Sequence, residues 1–594
     1  MTWSLSRRHF IRTLAVAGAA IPAGLASACA PAAPAVSTAA PAATAGAPAA
    51  PKAPAGAPTV AAPVAKSPSQ PSVQRAVLAL ASPNIESNKP SDIGQPEGWQ
   101  LRPMYEYLTG VSPEGEENIP QLATSWSIEP DGKSYRFQLR KGVQFHRGKG
   151  EFTAKDVIYS WKHISAPDSL HRQAPYFRTA IEDIEAVTDY EVVFKMARPD
   201  PAFLTALGEA EWGFEILSKV DGESRAQWPG LTEEAVAGTG PYQYKERAQG
   251  QYIRFERVPY QHWRVQPDFP EFEYRMVREP STRSASLQAR EIHLAALPPE
   301  LVPQAEQFGS KTIVGRAPGL HAFMAFYGVW ANRSIFNEEI LNADPAQLFV
   351  FPNTPIADVR VRRALNKAVN RDELNKAYVR GKADPLYLTF FHPNRPGWNP
   401  AWQQKFQDEY GYDPAVAKAL LAEAGYGPGK PLRHVIILRP NSFFTAVLDM
   451  AEAIAGYWRA IGVEVDLVQM DGQQIELKTR KLEWDNHSVI IVSSVRQLLG
   501  FGVYNAASTI GARAGLELPE TDEVYEKQIR VTLDTKKYDD LWRQLGDMAF
   551  ERHMNIPLFW IPAEVSADPR VVADYRFPGN ISGTYTHPEY IKSV

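Results

Sequence analysis

The sequence predicts an α/β protein of several domains, and three observations support this fold class. Its 594 residues are too many for one hydrophobic core, since usual domain sizes give about three or four units. Residues 122–164 combine the alternating pattern of a β-hairpin with the start signal of a helix. Residues 435–469 read as strand, helix and strand, which predicts a βαβ unit and a mainly parallel sheet there.

Composition narrows the functional class. Hydrophobic residues make up 44% of the chain and charged residues 22%, as is ordinary for a globular protein. The formal net charge of −4 gives no reason to expect nucleic acid as a partner. We expect Arg360, Arg362 and Arg363 to form the solvated face of a helix. The single cysteine, Cys29, excludes an internal disulfide, a cysteine zinc site and an iron–sulfur cluster, and we expect no cofactor or metal.

The amino-terminal residues 1–28 have the features of an export signal. SRRHFIR, at residues 6–12, resembles a twin-arginine motif, and the apolar run at residues 14–25 is too short to span a bilayer. Small residues at 26–28 precede Cys29 as in a bacterial lipobox, which predicts that this cysteine becomes the acylated amino terminus. The alternative is ordinary signal-peptidase cleavage at the same A-x-A sequence, with the cysteine incidental.

Residues 29–71 form an Ala/Pro-rich stretch without aromatic residues. Such a segment buries too little apolar surface to offset its ordering entropy, so we expect a disordered, semi-extended linker. With acylation of Cys29, this linker would tether a folded body to a membrane surface. We therefore expect an exported protein, periplasmic or at the cell surface, that is lipid-anchored to the membrane.

The folded body begins near residue 72. Residues 75–81 predict a strand whose side chains alternate between its two faces. Met104, Tyr105 and Leu108 fall at helical spacing, which predicts a helix over residues 99–108.

The next stretch has the clearest local signals. A hairpin turns at residues 131–132, Asp-Gly, between two alternating runs. Thr153 stands three residues before Asp156, a variant capping box that predicts the start of a helix. A second hairpin is predicted over residues 181–196 and a further helix over residues 201–207.

The sequence GTGPY at residues 238–242 predicts a turn, because glycine permits backbone conformations that other residues resist. A phosphate-binding loop is the alternative, but no Lys-Ser/Thr follows these glycines. Farther on, residues 323–330 predict an apolar strand and residues 358–368 a helix with one apolar stripe. Asp-Pro at residues 413–414 predicts the start of another helix.

A resemblance to a known family rests on several of these residues. The order L-A-x-S-W-x-x-x-x-D-G-K-x-Y-x-F-x-L-R-x-G-V-x-F-H, followed by F-T-A-K-D-V-x-Y-S-W, covers residues 122–161. GTGPY at 238–242 and DVRVRRALNKA at 358–368 add to it. The chain resembles the extracytoplasmic solute-binding proteins of the oligopeptide and dipeptide type, family 5, which are receptors of ABC importers. The match holds over roughly 40 positions, more than a short chance motif would cover.

The resemblance implies a two-lobed α/β periplasmic-binding-protein fold, type II and cluster C-like, with an additional small β-rich domain. Residues 557–566 read as an apolar strand that returns to the first lobe, so the chain would cross between the lobes twice and form a hinge. The expected domains are lobe I (72–117, 238–319 and 557–594), the inserted small domain (118–237) and lobe II (320–556).

The function that the resemblance implies is binding rather than catalysis. The protein would capture a peptide or similar-sized solute outside the cytoplasmic membrane, as a monomer, and deliver it to the membrane permease. The sequence lacks the signature motifs of metalloproteases, serine hydrolases, Walker nucleotidases and Cys-x-x-Cys oxidoreductases, and we expect His553 to be a surface or capping group. Two alternatives remain: a non-peptide solute (an oligosaccharide, an opine-like or an anionic compound), and an exported enzyme.

A solute between two lobes would contact aromatic side chains and a few polar groups. The chain offers several aromatic candidates, each of which core packing would also explain. They are Tyr105, Trp330, Trp398, Trp402, Trp484 and Phe501.

One departure from the family pattern concerns the ligand. Trp484 and Asp485 match the beginning of a family sequence. In the peptide receptors of the family, this sequence is followed by an acidic residue that pairs with the peptide α-amino group. Residues 486–502 of this chain contain no carboxylate. A buried ammonium without a counter-charge costs several kcal/mol, whereas micromolar affinity is worth only about 8 kcal/mol. Either another acid is the anchor or the solute has no free amine. The residues at this place are Ser493, Ser494, Arg496 and Gln497. They suit a neutral or anionic solute, unless Arg496 is a solvated loop residue.

Overall fold

Strands in several sheets and fifteen helices make up the part of the chain that the computed structural model describes. That part comprises residues 73–83, 85–93, 97–171, 173–211, 213–317, 319–332, 348–441, 444–494, 497–506, 515–579 and 585–594. All of it lies within one compact unit, Ser67–Val594. The predictions for the signal peptide, Cys29, the linker and Arg496 lie outside the described residues. None of the helices described is both long and apolar enough to span a membrane.

The elements are numbered in chain order. The strands are β1 (Arg75–Leu80), β2 (Thr109–Val111), β3 (Glu117–Pro120), β4 (Ala123–Ile128), β5 (Ser134–Leu139), β6 (Ile181–Thr188), β7 (Glu191–Met196), β8 (Tyr242–Ala248), β9 (Tyr252–Arg257), β10 (Glu271–Met276), β11 (Leu294–Ala295), β12 (Lys311–Val314), β13 (Leu320–Tyr327), β14 (Asp384–Pro385), β15 (Arg433–Leu438), β16 (Glu464–Gln469), β17 (His487–Ser493), β18 (Asn555–Ile561), β19 (Glu564–Ala567), β20 (Val572–Tyr575) and β21 (Ile591–Ser593). The helices are α1 (Ala154–Ile164), α2 (Ala174–Ala180), α3 (Phe203–Leu207), α4 (Lys219–Ser224), α5 (Pro280–Gln288), α6 (Val302–Gln307), α7 (Val359–Lys367), α8 (Arg371–Val379), α9 (Pro400–Tyr410), α10 (Pro414–Glu423), α11 (Val447–Ala460), α12 (Gly472–Arg480), α13 (Gln497–Tyr504), α14 (Pro519–Lys527) and α15 (Thr535–Glu551).

The first lobe is built on a seven-stranded sheet with the order β12-β19-β11-β1-β10-β9-β8. Strand β1 is confirmed, and it runs parallel to both of its neighbours, β10 and β11. Its alternate side chains enter two cores: Leu78 belongs to one apolar cluster, and Val77 and Ala79 belong to another on the opposite face. A parallel strand in the middle of a sheet is buried on both faces, which explains why residues 76–80 are all apolar.

The predicted helix over residues 99–108 is wrong. The chain there forms a short 3₁₀ turn and then irregular backbone before β2. The carbonyl groups that a helix would use are occupied by another segment, since Gly240 N donates to Met104 O (3.0 Å) and Tyr242 N donates to Pro103 O (3.2 Å). Tertiary pairing therefore overrides the local helical spacing.

The structure gives a different reason for the glycines of the GTGPY segment from the turn that the sequence predicts. Neither Gly238 nor Gly240 has a positive φ. A Cβ atom at Gly238 would lie 2.1 Å from Met104 O, and one at Gly240 would lie 2.4 Å from Pro103 O. Close backbone approach, not a special turn conformation, requires glycine at both positions.

The small domain has its own antiparallel sheet, β4-β5-β7-β6. Both predicted hairpins and the helix α3 are confirmed, and Trp126 pairs with Phe137 across the first hairpin. The Asp156 carboxylate accepts hydrogen bonds from Thr153 N (2.9 Å) and Thr153 Oγ1 (3.0 Å), so the cap of α1 is also confirmed. A separate aromatic core, which includes Phe137 and Phe194, makes this a third packing unit.

The second lobe is built on a six-stranded sheet with the order β14-β18-β13-β17-β15-β16. The predicted βαβ unit is confirmed, since β15 and β16 are parallel and α11 connects them. The expectation of a mainly parallel sheet is wrong, because β13 is antiparallel to both β17 and β18. Strand β13 enters from the first lobe and β18 returns to it, so these neighbours must run in opposite directions.

Helix α7 confirms the predicted apolar stripe but not the solvated face. Asp358 caps the helix by accepting from Arg360 N (2.8 Å). Arg362 is 2% exposed, and its guanidinium donates to the carbonyl groups of Ile356 and Arg552 (2.8 and 2.7 Å). The expectation that Arg362 is solvated is therefore wrong, because the guanidinium satisfies buried carbonyl groups.

His553 is buried as well, against the expectation of a surface group. It is 1% exposed and packs on Tyr410, with ring centroids 4.4 Å apart. Burial is the main reason that its pKa is lowered to about 4.

The chain crosses between the two large sheets twice. Residues 315–319 connect β12 to β13, and residues 562–563 connect β18 to β19. The crossings lie side by side, since Gly315 N donates to Ala563 O (2.8 Å). The prediction of one returning strand over residues 557–566 is wrong: β18 belongs to the second sheet and β19 to the first. The other domain boundaries stay predictions.

Candidate ligand-binding site

Three strands of the second sheet meet the lobe crossings, and we call this region the lobe junction. Strand β13 begins there, and β17 and β18 end there. Antiparallel pairing places His321 beside Ser493 on one side and beside Trp560 on the other. An imidazole, an indole and the end of β17 are thus brought together next to both crossings.

His321 presents an unpaired acceptor at the lobe junction. Since the carbonyl oxygen of Ser493 can only accept, Nδ1 of His321 carries the proton and donates to it (2.8 Å). Nε2 is then a bare acceptor, buried and without a partner among the described residues. Burial first, and the positive charge of Arg395 as well, lower the pKa of His321 to about 4, so the ring is neutral at pH 7.

Aromatic rings enclose the His321 side chain. Its ring stacks on Phe323 (centroids 4.9 Å apart) and lies 5.6 Å from Phe390 and 5.7 Å from Trp560. Phe390 has φ of 72°, a left-handed conformation that is costly for an aromatic residue, and it is 1% exposed. The surrounding packing must hold this backbone in place.

Three of the predicted site residues gather around the same segment. Gln497 Nε2 donates to Pro396 O (2.8 Å), and Phe501 packs on Phe390 with centroids 6.4 Å apart. Ser494 directly follows the last residue of β17 and is half-buried. The end of β17 and the start of α13 therefore place Ser494, Gln497 and Phe501 at or beside the lobe junction.

Trp398 and Trp402 lie next to this segment. Trp398 is half-buried, two residues beyond Pro396, and its ring centroid is 5.5 Å from that of Trp402. Trp402 is buried, and its Nε1 donates to Asp547 (2.8 Å). Trp398 thus has an accessible surface near the lobe junction, whereas Trp402 supports it from the core.

The remaining aromatic candidates lie elsewhere. Trp330 follows the far end of β13, and Trp484 precedes the far end of β17, where it packs on Tyr327 (5.8 Å). At a rise of about 3.4 Å per residue, this end of the sheet is about 20 Å from His321. Tyr105 is buried in the first lobe, and its hydroxyl donates to Val236 O (2.7 Å). The structure does not bring these three together with the others.

Among the described residues, two ion pairs join the second lobe to the rest of the molecule. Arg395 pairs with Glu117 at the start of β3, and their side chains are 14% and 21% exposed. Arg380 at the end of α8 pairs with Glu564 at the start of β19. Both carboxylates come from outside residues 486–502, and each is already bound by an arginine.

A buried ionic cluster lies in the first lobe. Arg264 Nε donates to Glu106 (3.1 Å), and its Nη1 donates to Glu589 (2.7 Å). Burial alone would raise the pKa of Glu106, but His262 and Arg264 lower it to about 2. These charges are paired with one another and join the segment around Glu106 to the carboxyl-terminal segment.

Two cavities are lined by residues other than the junction residues named above. One of about 370 Å³ is lined by residues between Arg257 and Pro270 in the first lobe. Another of about 320 Å³ lies beside α8 and α9, lined in part by Tyr387 and Phe406. The guanidinium of Arg371 at the second cavity is engaged by backbone carbonyl groups, including Pro557 O (2.6 Å).

The sequence profile of one protein family, bacterial extracellular solute-binding proteins, family 5 (middle part), matches residues 117–495. This range is more than half of the chain. The protein belongs to family 5 of the bacterial extracellular solute-binding proteins. The match begins at Glu117 and includes the small domain and most of the second lobe.

Individual relatives agree with family 5. The chain is 29% identical over 384 residues to the dipeptide-binding protein of Escherichia coli K12, covering 62% of this chain and 66% of that protein. It is also 29% identical over 374 residues to heme-binding protein A of Haemophilus influenzae, covering 59% of this chain and 61% of that protein. The chain thus spans just under two thirds of the length of these curated relatives.

A solved structure confirms the fold. NikA from Brucella suis, crystallised with Fe(III)-EDTA, superposes with a TM-score of 0.67 over 87% of this chain and 100% of that one, at 20% identity. The two-lobed α/β fold predicted from the sequence is therefore confirmed.

Sequence reasoning missed the polar groups at the lobe junction of this family 5 protein. His321 had one local signal, since it is the second residue of an otherwise apolar strand. Arg395 and Glu117 are 278 residues apart, and nothing in either neighbourhood indicates that they meet.

Proposed function

We propose that this protein is the solute-binding receptor of an ABC importer, which captures a peptide or similar-sized solute between its lobes and delivers it to the permease. The observation that carries the proposal is the lobe junction. An aromatic enclosure with an unpaired buried acceptor lies where two lobes are joined by only two short crossings among the described residues. Membership of family 5 and the dipeptide-binding relative support a peptide as the solute.

We propose that the solute contacts Ser494, Gln497 and Phe501, with Trp398 at the edge of the site. The position of Arg496, next to Gln497 in the sequence, makes it a further contact in this proposal. The burial of Tyr105, Trp330 and Trp484, together with the hydrogen bonds of Tyr105 and Trp484, favours a role in packing for these residues.

The test is a thermal-shift screen of the full chain against peptides, oligosaccharides and carboxylated solutes. A solute at about 100 times its dissociation constant should add roughly 2.7 kcal/mol of stability. The variant Gln497→Ala should lose most of that shift, whereas Gln304→Ala, an exposed glutamine of α6, should keep it. A wild-type protein that none of these solute classes stabilises would contradict the receptor function, and a full shift in Gln497→Ala would contradict the assigned site.

A non-peptide solute is the second candidate, because residues 486–502 have no carboxylate for a peptide amine. An oligosaccharide, an opine-like or an anionic compound would need no such group. Stabilisation by sugars or anions, with no response to free-amine peptides, is the result expected for this candidate.

We also propose that the protein is exported, acylated at Cys29 and held at the membrane as a monomeric receptor. The twin-arginine-like sequence, the small residues before the only cysteine and the linker composition support this. Cys29→Ala should move the protein from the membrane fraction to the soluble fraction and abolish labelling by a fatty-acid analogue. If the Cys29→Ala variant keeps both its place in the membrane fraction and its fatty-acid labelling, the anchor is elsewhere.

A further inference from the structure

We propose that the cavity beside α8 and α9 is a second binding site of this protein, which takes one neutral monosaccharide independently of the transported solute. We call it the α8–α9 cavity, and its volume is about 320 Å³. Sites for small molecules start at about 300 Å³, so the space suits one ring rather than a chain. All of its lining residues lie at positions 369–412 and 558–559 in the second lobe, so one lobe alone forms the site.

Aromatic rings form one wall of the α8–α9 cavity. Phe406 is held by Tyr410, which lies almost parallel to it with ring centroids 5.1 Å apart, and by Tyr387, which meets it edge-on at 5.3 Å. Tyr387 is half-buried and Tyr412 is exposed, and neither hydroxyl has a hydrogen-bond partner among the described residues. Such rings can cover the apolar face of a sugar while their hydroxyl groups bind its polar edge.

Polar side chains with free hydrogen-bonding groups line the same cavity. Asp372 lies in the first turn of α8 and Gln403 in α9, and both are exposed. Neither side chain forms a hydrogen bond to another residue that the structure describes. The carboxylate can only accept hydrogen bonds, whereas the amide both donates and accepts them. Sugar hydroxyl groups also donate and accept, so they match both side chains.

The charges at the cavity favour a neutral ligand. The guanidinium of Arg371 donates to Pro557 O (2.6 Å) and Tyr410 O (2.7 Å), so much of its donor capacity is occupied. An anion would find little to bind at Arg371 and would be repelled by Asp372. A cation would be repelled by the guanidinium, which stays charged at pH 7 because burial lowers its pKa only to about 10.

A planar aromatic compound is the competing occupant. It would pack against Phe406, but it would cover Asp372 and Gln403 without giving them hydrogen-bond partners. Covering polar groups in this way is unfavourable, and more so for a carboxylate than for an amide. A ring that carries hydroxyl groups avoids this cost, which is why we assign the cavity to a sugar.

The α8–α9 cavity differs from the site proposed for the transported solute. Ser494, Gln497 and Phe501 do not line it. Trp398 does not line it either, although its ring centroid is 6.3 Å from that of Tyr387. Gln497→Ala should therefore leave sugar binding at the cavity unchanged.

Two neighbouring glutamines of α9 provide a matched pair of variants. Gln403 lines the cavity, whereas Gln404 is exposed on the same helix and does not. Gln403→Ala should weaken sugar binding about fivefold, the value of one lost hydrogen bond, and Gln404→Ala should change it less than about twofold. Asp372→Ala should weaken it about tenfold, because hydrogen bonds to a charged group are stronger.

The experiment is a ligand-observed NMR titration of the full chain and these variants with glucose, galactose and N-acetylglucosamine. Glucosamine and glucuronate carry a positive and a negative charge on the glucose ring, and benzyl alcohol represents the aromatic class. We expect at least one neutral sugar to bind wild type about tenfold more tightly than any of these three controls. Circular dichroism checks that each variant is folded.

Three results would overturn the assignment. One is the absence of binding by all three neutral sugars, or binding of a charged or aromatic control as tightly as a sugar. Another is an equal effect of Gln403→Ala and Gln404→Ala. The third is loss of sugar binding in Gln497→Ala, which would make the sugar a solute of the lobe junction. Failure of the receptor function looks different, because then no solute shifts the melting temperature through Gln497 while sugar binding still depends on Gln403.

Discussion

At the residue scale, the environment decides what a side chain does more than its type does. Gly238 was identified from the sequence, but its reason is contact with Met104 O rather than a positive φ. Arg360 and Arg362 are two residues apart on α7, yet one is exposed and the other is buried on carbonyl groups. The spacing of charges cannot distinguish them, because the partners of Arg362 include Arg552, 190 residues away.

Gly238→Ala should destabilise the protein. Its Cβ would lie 2.1 Å from a backbone oxygen that cannot move without shifting the segment, and such overpacking costs about 1–3 kcal/mol. Gly456→Ala is the control, since nothing lies within 4 Å of its Cβ in α11 and alanine should stabilise a helix by roughly 0.5–1 kcal/mol. Urea unfolding measures both. Equal effects of the two substitutions would be evidence against the close approach.

Arg362→Met should lower the free energy of unfolding by roughly 3 kcal/mol or more, because several buried carbonyl groups lose their donor. Arg360→Met removes an exposed arginine from the same helix and should change it by less than about 1 kcal/mol. Chemical denaturation of the two variants at pH 7 is the measurement. A similarly small loss of unfolding free energy in both variants would mean that those carbonyl groups do not need Arg362.

At the element scale, segments with both a periodic pattern and a terminal signal were predicted well. The hairpin and α1, the capped helix α7 and the βαβ unit all formed as expected. The helix predicted over residues 99–108 had helical spacing but no capping signal, and carbonyl groups of this segment accept hydrogen bonds from the GTGPY segment instead. The local sequence pattern also could not predict the strand directions in the second sheet, because they depend on where the chain enters and leaves the lobe.

Asp156→Ala should destabilise α1 and its contact with α4. The carboxylate accepts from Thr153 N and from Lys219 N (2.8 Å), and both donors would lose their partner, at a cost of roughly 2–4 kcal/mol. Asp372→Ala, an exposed acid in the first turn of α8, should cost less than about 1 kcal/mol. Thermal unfolding of both variants tests this. A cost at Asp156 no larger than that at Asp372 would rule out the cap as a stabilising link.

At the scale of the whole molecule, the contacts that matter for function connect distant parts of the chain. The lobe junction combines β3, the segment around Phe390, and the ends of β13, β17 and β18, and no local pattern predicts that meeting. The sequence did predict that Ser494 and Gln497 lie at the end of a strand where a family anchor would be. It could not predict His321 or Arg395, because their roles depend on partners brought together only by the fold.

Stability should fall as the pH falls from about 7 to 5. Buried histidines have folded pKa values of about 4 or lower, as His321 and His434 show, against about 6.5 when unfolded. The unfolded state then binds protons first, so the stabilisation is complete above pH 6.5 and is lost as the pH approaches 4. Each such histidine should account for about 2 kcal/mol of loss between pH 7 and 5. His434→Gln should reduce the loss by that amount, and an unchanged slope would contradict it.

The most direct test of the central claim is hydrogen–deuterium exchange of the full chain with and without the solute that gives the largest thermal shift. Binding between the lobes predicts slower exchange at the starts of β13 and β19, the ends of β17 and β18, and residues 390–396. The far end of the second sheet, around Trp330 and Trp484, should not change. Protection confined to that far end, or to the two cavities outside the lobe junction, would contradict the account.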